Sequence, residues 1–240
     1  MAIRWLTHAL KFPPAESADD EGVVAVGGDC SVERLLLAYR QGIFPWPMAR
    51  DLPLFWFSPD PRYVIDLPHA HIPRSLRKRV RRRDFEIKVD TDFAGVLRGC
   101  ASTARPGQRG TWITPELRRG YLELHREGYA HSVEAWRDGA LVGGLYGLAL
   151  GGGYFGESMF ALEPDASKVA FATLLGNLIH WNFNFVDCQT RTEHLERFNA
   201  VPWPRRRFLD ALESTLERET RRGVWAFDLD PVEAIARVSE

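Results

Sequence analysis

The sequence of 240 residues predicts a mixed α/β protein. Several short runs alternate apolar and polar residues, as half-buried strands do, and other runs place apolar residues three or four positions apart, as amphipathic helices do. Glycines and prolines separate these runs at positions typical of turns. Because 45% of the residues are hydrophobic, the chain can bury a substantial core, and we expect a compact soluble protein.

The first 62 residues are rich in turns and aromatic side chains. Ser31 is a suitable N-cap for a helix that starts at Val32 and stops at Gly42. The many prolines in residues 42–62 exclude a helix or a central strand and predict a rigid aromatic loop or an edge strand. We therefore divide the chain into an N-terminal domain, residues 1–62, and a second domain, residues 63–240.

Residues 74–83 form a strongly basic segment. Seven of these ten positions are Arg or Lys and none is acidic, while Leu76 and Val80 lie four positions apart. This pattern predicts a short amphipathic helix with a cationic outer face. Because the formal net charge of the chain is only -1, affinity for a polyanion has to come from such a cluster. The segment is a candidate phosphate-binding surface, with an ordinary solvated helix face as the alternative.

The rest of the second domain is predicted as a series of strands and helices from the same patterns. In chain order they are a strand at 85–90, a helix that starts at Thr114, three antiparallel strands within 131–160, a helix from about Ala166 to His180 capped by Asp165 or Ser167, and a strand at 183–189. The pair Asp138-Gly139 is a strong hairpin signal between the first two strands of the meander.

Two of these strands carry polar side chains that suggest the wall of a site. With a period of two, Asp187 and Gln189 share one face of their strand, and the residues between them face the other way. Glu157 and Met159 likewise share a face, which places an acid beside an apolar flank. An isolated Asp-x-Gln pattern by itself favours a solvated edge strand over a site wall.

Several other chemistries have no matching pattern. The glycine-rich run 147–156 contains no Gly-Lys-Ser/Thr and opens no helix, so it is neither a P-loop nor a dinucleotide fingerprint. The three cysteines have no Cys-x-x-Cys spacing, and His69 and His71 have no third ligand at a suitable spacing, which argues against a metal site. No segment approaches the roughly 18 consecutive apolar residues of a membrane span, which favours a cytoplasmic protein.

Three tryptophans, Trp46, Trp56 and Trp112, lie in segments predicted as loops. Indoles in such positions are suited to stack on a nucleobase. Packing between the two domains would explain the same residues equally well.

Eight segments resemble, in the same order, the motif series of the leucyl/phenylalanyl-tRNA–protein transferases. They run from Gly27 to Gln189 and read GGDCSVERLLLAYRQGIFPW, WFSPDPR, GTWIT, AHSVEAW, LVGGLYG, GESMF, ASKVA and VDCQ. The resemblance implies a small N-terminal domain followed by a C-terminal domain similar to the GCN5-related N-acetyltransferases, an outline that the predicted element order also resembles. It implies that neither a metal nor coenzyme A is needed.

The activity that this resemblance implies is aminoacyl transfer. Leu or Phe, and less favourably Met, would move from an aminoacyl-tRNA to the N-terminal α-amine of proteins that begin with Arg or Lys, which marks them for degradation by the N-end rule. The partners would be the aminoacyl-tRNA and the acceptor protein. We expect a monomer, because the sequence contains no sustained heptad pattern.

The resemblance also assigns roles to individual residues. Trp46 and Trp112 would flank the terminal adenosine of the tRNA. The residues around the reacting ester and the amine would be Glu157, Asp187 and Gln189. The apolar pocket for the transferred side chain would contain Leu145, Tyr154, Met159, Phe171, Leu174 and Val186. The acceptor stem would contact Arg74, Arg77, Lys78, Arg79 and Arg81.

The proton path has two versions. Asp187 would polarise Gln189 in one of them. In the other, Gln189 would anchor the amine while Glu157 or Asp187 paired with the cationic side chain of the acceptor. Three departures from the family pattern bear on the ranking of Leu, Phe and Met: Thr190-Arg191-Thr192 in place of Val-Leu-Asn, Phe198-Asn199-Ala200 in place of Leu-Gly-Ala, and Leu145 where Met is frequent.

Two rival functions are an acetyl-coenzyme A-dependent N-acetyltransferase and a tRNA-binding module without catalysis. The first would cradle a pyrophosphate on a glycine-rich loop before the helix near residue 166, but residues 161–168 contain two acids and no glycine. The second leaves Glu157, Asp187 and Gln189 without a role.

Overall fold

A computed structural model describes residues 4–48, 52–102 and 113–239, so Trp112 lies outside the described residues. The fold is mixed α/β, which confirms the predicted class. The strands within these ranges are β1 (Trp5–Leu6), β2 (Val23–Gly27), β3 (Phe44–Trp46), β4 (Phe55–Phe57), β5 (Arg62–Asp66), β6 (Glu86–Val89), β7 (Ala130–Arg137), β8 (Ala140–Leu150), β9 (Gly153–Ala161), β10 (Phe185–Gln189) and β11 (Val201–Trp203). The α-helices in the same part of the chain are α1 (Val32–Arg40), α2 (Arg74–Arg81), α3 (Phe93–Ser102), α4 (Pro115–Arg126), α5 (Ala166–His180), α6 (Glu193–Glu196), α7 (Arg205–Leu216) and α8 (Pro231–Arg237).

The strands form two sheets. The smaller sheet has the order β1-β2-β4-β3, and the larger one has the order β11-β5-β10-β9-β8-β7-β6. All strands of the smaller sheet precede residue 58, and all strands of the larger sheet start at Arg62 or later. The predicted order of strand, helix, three-strand meander, helix and strand is confirmed in the larger sheet, with α3 added after its first strand. No helix within the described ranges is long and apolar enough to cross a membrane.

The prediction that residues 42–62 exclude a central strand is wrong, because β4 lies between β2 and β3. The prolines of this segment flank β4 rather than interrupt it, so its backbone N–H groups remain available to both neighbours. Pro45 lies in β3, which is an edge strand as proline requires. Trp56 in β4 is fully buried, and its Nε1 donates to Gly27 O at 2.8 Å, so this indole belongs to the core.

The helix starts follow the predicted capping signals with one exception. Ser31 and Thr114 accept hydrogen bonds from the backbone N–H three residues later, as N-caps do. At α5 the N-cap residue is Asp165, but its φ is +68° and its side chain caps no backbone N–H. Its carboxylate instead accepts from Lys168 Nζ at 2.6 Å. The helix therefore starts where predicted, without the predicted side-chain cap.

Strand alternation divides the apolar residues between two cores on opposite faces of the larger sheet. Along β9, Phe155 belongs to the first core, with α1, α3, α4 and α7, and Tyr154 belongs to the second, with α2, α5 and α8. β9 and β10 pair in parallel only from Gly153 to Phe155 and from Phe185 to Asp187. Beyond these residues the backbones of the two strands no longer pair with each other.

Candidate active site

A cavity of about 410 Å³ lies where β9 and β10 cease to pair. Its walls come from β3, β8, β9, β10, the start of α5 and the segment around α6. The site residues predicted from the sequence that line it are Trp46, Leu145, Glu157, Met159, Phe171, Val186, Asp187 and Gln189. Residues that are far apart in the chain are thus brought together at the carboxyl ends of two parallel strands.

Two residues predicted to form the apolar pocket do not reach the cavity. Tyr154 and Leu174 are fully buried in the second core, outside the lining. Tyr154 lies on the part of β9 that still pairs with β10, and its ring faces Trp225 with a centroid distance of 6.1 Å. Their assignment as pocket walls is therefore corrected, because both lie behind the surface that a substrate would touch.

Glu157 and Met159 do not share a face, contrary to the prediction from strand periodicity. Tyr146 of β8 pairs with Ser158 and Gly147 pairs with Gly156, so Glu157 is the extra residue of a β-bulge. A bulge interrupts the alternation of side chains and re-aims one of them. As a result the Glu157 carboxylate joins the first core, while Met159 packs against the second.

The Glu157 carboxylate accepts three hydrogen bonds. Tyr39 Oη donates to Oε1 at 2.7 Å, Tyr121 Oη donates to Oε2 at 2.5 Å, and Gln189 Nε2 donates to Oε1 at 2.8 Å. Loss of hydration and the negative charge of Asp187 together raise the pKa of Glu157 to about 7, against the opposing effect of the tyrosine and Gln189 donors. Both protonation states of this carboxyl are therefore populated near neutral pH.

Asp187 is bound to an arginine and not to the side chain of Gln189. Arg62 Nε and Nη2 donate to the two carboxylate oxygens of Asp187 at 2.8 and 2.7 Å, and both side chains are almost fully buried. Arg62 also lies between the rings of Phe44 and Phe208, 4.5 and 4.6 Å from their centroids. Among the described residues, the Asp187 carboxylate contacts Arg62 and the backbone N–H of Gln189 but not the Gln189 side-chain amide.

Asp187 instead fixes the backbone of Gln189. The backbone N–H of Gln189 donates to Asp187 Oδ1 at 2.9 Å, and Gln189 has a φ of +64°. A left-handed conformation costs a residue with a side chain roughly 1–2 kcal/mol, and such strain is concentrated at functional sites. The left-handed backbone conformation directs the side-chain amide of Gln189 to Glu157. As the strand period predicts, Val186 and Cys188 belong to the second core.

One wall of the cavity was not foreseen from the sequence. It consists of Ser167, Lys168, Thr190, Thr192, His194 and Leu195. Burial and the charges of Lys168 and Arg197 lower the pKa of His194 to about 4, so its imidazole is neutral at physiological pH. The four-residue helix α6 that carries it is too short to leave a periodic signal.

The basic helix α2 forms as predicted, with Leu76 and Val80 buried. Arg77 does not belong to its cationic face, which corrects the prediction for this residue. Its guanidinium is buried and donates to the carbonyl oxygens of Ile72, Ile235, Val238 and Ser239 at 2.6 to 3.0 Å, so it fastens the C-terminal segment to α2. Arg79 pairs with Asp84. Arg74, Lys78 and Arg81 are exposed and have no ion pair among the described residues.

Two family models match the chain. The model described as leucyl/phenylalanyl-tRNA protein transferase matches residues 64–213, and the model described as the N-terminal domain of that transferase matches residues 28–60.

Named relatives are similar over most of their length. A leucyl/phenylalanyl-tRNA–protein transferase of Myxococcus xanthus (strain DK1622) is 56% identical and covers 91% of this chain and 93% of its own. The protein of that name from Nitratidesulfovibrio vulgaris (strain DP4) is 54% identical, with coverages of 92% and 94%. A solved structure of a conserved protein of unknown function from Staphylococcus epidermidis ATCC 12228 has a TM-score of 0.42 and 13% identity, and covers 76% of this chain and 68% of its own.

Proposed function

The chain belongs to the leucyl/phenylalanyl-tRNA–protein transferase family, and from this premise we propose that it transfers Leu or Phe, and less readily Met, from aminoacyl-tRNA to the N-terminal α-amine of proteins that begin with Arg or Lys. The observation that carries the proposal is the position of Glu157 and Gln189 at one side of a largely apolar cavity. A carboxylate with a pKa near neutrality, beside space for an apolar side chain, suits proton transfer during aminolysis of an ester.

The transferred side chain would occupy the apolar part of the cavity. Its contacts there are Leu145, Met159, Phe171, Val186 and Leu195. A volume of about 410 Å³ lies within the usual range for ligand sites. A side chain with an unbranched β-carbon would fit this pocket, whereas Val and Ile would clash near the α-carbon and would be excluded.

The chemical step is aminolysis. A free α-amine has a pKa of about 7.7–8.0, so part of it is already neutral at physiological pH. Its nitrogen attacks the ester carbonyl carbon, the new C–N bond forms, and the bond between that carbon and the ribose 3′ oxygen breaks. Glu157 takes the proton that the nitrogen loses and returns it to the departing 3′ oxygen. A base with a pKa of about 7 is well matched to both transfers.

Gln189 would anchor the amine rather than act as a base. Its Nε2 is used by Glu157, and no described residue donates to its amide oxygen, which is therefore available to accept from the incoming amine. An amide is barely basic, so this oxygen can hold an N–H group without removing the proton. Glu157 and Gln189 together would place the amine for attack.

The tRNA would contact two surfaces. Trp46 lines the cavity and would stack on the terminal adenosine, with Trp112 as the expected second platform. The exposed cations Arg74, Lys78 and Arg81 of α2, with Arg79 beside them, would bind the phosphates of the acceptor stem without reading its sequence. We also retain as proposals the domain boundary near residue 62, a monomeric state, a cytoplasmic location and a role in N-end rule degradation.

The experiment is a transfer assay with the purified protein, radiolabelled Leu-tRNA and peptides that differ only in an N-terminal Arg, Lys or Gly. Label on the Arg and Lys peptides but not on the Gly peptide supports the proposal. Binding of tRNA without transfer from Leu-, Phe- or Met-tRNA would favour a binding module. Calorimetric binding of coenzyme A would favour an N-acetyltransferase.

A further inference from the structure

The side-chain oxygens of Tyr39, Tyr121 and Glu157 lie within hydrogen-bonding distance of one another and form a triangle of contacts. Tyr39 Oη lies 2.7 Å from Glu157 Oε1, Tyr121 Oη lies 2.5 Å from Glu157 Oε2, and the two hydroxyl oxygens lie 2.9 Å apart. Tyr39 comes from α1, Tyr121 from α4 and Glu157 from the bulge of β9. Both tyrosines are fully buried, so no bulk water competes for these contacts.

When Glu157 is ionised, the triangle holds two hydroxyl protons. Both tyrosines then donate to the carboxylate, because an ionised acceptor binds a donor more strongly than a neutral one does. Each hydroxyl has only one proton to donate. The contact of 2.9 Å between Tyr39 and Tyr121 is therefore not a hydrogen bond in this state.

When Glu157 is protonated, the same oxygens hold three protons and the triangle can close. Glu157 Oε2 donates to Tyr121, Tyr121 donates to Tyr39, and Tyr39 donates to Glu157 Oε1. Each of the three contacts is then a hydrogen bond at the distances given above, and only the hydroxyl protons have rotated. The spacing of the two tyrosines suits the protonated state as well as the ionised one.

We propose that Tyr39, Tyr121 and Glu157 form a ring of hydrogen bonds that holds the proton released by the attacking amine without displacement of any side chain. The ring rests on the proposed aminoacyl transfer, in which the α-amine is the source of this proton and the departing 3′ oxygen receives it. Tyr39 and Tyr121 are positioning residues, since they act through Glu157 and not on the substrate. Through Tyr39, the ring also connects the N-terminal part of the chain to the proposed reaction.

The other ionisable groups around the ring are few in the described parts of the chain. Asp187 of β10 raises the pKa of Glu157, and Arg62 of β5 compensates the charge of Asp187. Tyr146 of β8 packs on Tyr121 with a ring-centroid distance of 5.2 Å. Burial and the charge of Glu157 raise the pKa of both Tyr39 and Tyr121 well above the usual range, so the phenols keep their protons in the working pH range. Glu157 is thus the member of the ring that titrates.

The ring predicts how the three phenylalanine variants Tyr39→Phe, Tyr121→Phe and the double variant alter the pKa of Glu157. Loss of one tyrosine removes a donor to the ionised carboxylate, which raises the pKa, but it also removes the Tyr39–Tyr121 bond of the protonated ring, which lowers it. Each single variant should therefore raise the pKa only slightly. The double variant should raise it by more than the sum of the single shifts, with an excess of roughly half to one pH unit.

The pKa is measured by ¹³C NMR of the carboxyl carbons in glutamate-labelled protein, with the Glu157 signal assigned from its loss in Glu157→Gln. Tyr129→Phe is the matched control, because Tyr129 is half-buried under Arg222 and away from the cavity, and it should leave the titration unchanged. A double shift equal to the sum of the single shifts would mean two independent donors and overturn the ring. Absence of any shift would overturn it as well.

A second readout connects the ring to the reaction. In a plot of kcat for transfer against pH, the acidic limb should shift by the same amount as the Glu157 pKa measured by NMR in all three variants. The KM for the acceptor peptide should stay within about twofold of the wild-type value. If the wild-type protein transferred no amino acid, the proposed function would fail, and the NMR titration would still decide whether the ring exists. If the NMR pKa shifted but the acidic limb of the kcat profile did not, the ring would take no part in the transfer reaction.

Discussion

Arg62 and Asp187 lie 125 residues apart in the sequence and form a bidentate ion pair with contacts of 2.8 and 2.7 Å. Their side chains are only 1% and 0% exposed. The pair joins β5 to β10, where Asp187 also receives the backbone N–H of Gln189. We therefore propose that Asp187 positions the reacting groups and that Glu157 is the carboxyl that transfers the proton.

Removal of one partner of this ion pair should destabilise the fold strongly. Arg62→Met leaves Asp187 buried without its compensating charge, for which we expect a loss of about 3–5 kcal/mol in the free energy of unfolding. Urea denaturation measures this loss. The control is Arg206→Met, which breaks the exposed pair with Asp210 and should cost less than about 1 kcal/mol. Similar losses in both variants would contradict the role given to Arg62.

Glu157 should reduce stability at alkaline pH. Its pKa is about 7 in the folded protein against an ordinary value of 4.5, so the folded state binds the proton more tightly. The stabilisation is complete below about pH 4.5 and is lost as the pH rises through 7. Glu157→Gln removes this dependence, and the variant should gain on the order of 1–3 kcal/mol relative to the wild type between pH 5 and pH 8. Denaturation at both pH values measures the gain, and a constant difference would show that the Glu157 pKa is not raised.

Met159 should help to set the size of the transferred side chain. Met159→Ala enlarges the apolar part of the cavity, so transfer of Leu should fall by about 10- to 100-fold in kcat/KM, while transfer of Phe should fall less. The comparison uses both charged tRNAs with one Arg peptide. Leu162→Ala is the control, since Leu162 is 68% exposed and does not line the cavity. Equal losses of kcat/KM for Leu and Phe would mean that the transferred side chain does not bind against Met159.

The exposed cations of α2 should determine how salt affects tRNA binding. Replacement of Arg74, Lys78 and Arg81 by Ala should weaken binding and reduce the slope of log K against log salt by roughly 2–3, because each phosphate contact contributes about 0.7–0.9. Arg126→Ala, an exposed arginine paired with Glu123 on α4, should leave the slope unchanged. Filter binding at several salt concentrations measures both. An unchanged slope in the triple variant would exclude α2 from the tRNA interface.

Arg77→Ala should act differently from its neighbours on α2. The substitution removes hydrogen bonds to four carbonyl oxygens at the C-terminal segment and before α2, so it should lower thermal stability. The affinity of the folded protein for tRNA should not change. If Arg77→Ala lost as much tRNA affinity as Arg74→Ala and lost no stability, Arg77 would belong to the tRNA-binding face of α2 after all.

Local signals were enough to predict the strands and helices whose patterns are undisturbed. The turn at Asp138-Gly139, the caps at Ser31 and Thr114, and the helix α5 all rest on interactions within a few residues, and the structure confirms their positions. The short helix α6 and the edge strand β11 are too brief for a periodic signal, so neither could be foreseen, and with α6 one part of the cavity wall was missed.

The site itself depends on contacts that no local pattern contains. The bulge at Glu157 changes the direction of one side chain, and strict alternation therefore gave it the wrong neighbour. Arg77 reads as one more cation on a basic face because its carbonyl partners are about 160 residues further along the chain, at Ile235 and Val238. For the same reason the partners of Glu157 and Asp187, which come from three other elements, appear only in the folded chain.

The most direct test of the account is the rate of aminoacyl transfer by Glu157→Gln under single-turnover conditions at pH 8, with Leu-tRNA and a peptide that begins with Arg. Loss of the base that takes the amine proton should slow transfer by about 10²-fold or more, with unchanged binding of the tRNA. A rate within twofold of the wild type would show that the proton leaves by another route, and would contradict the role of Glu157 on which the proposed mechanism depends.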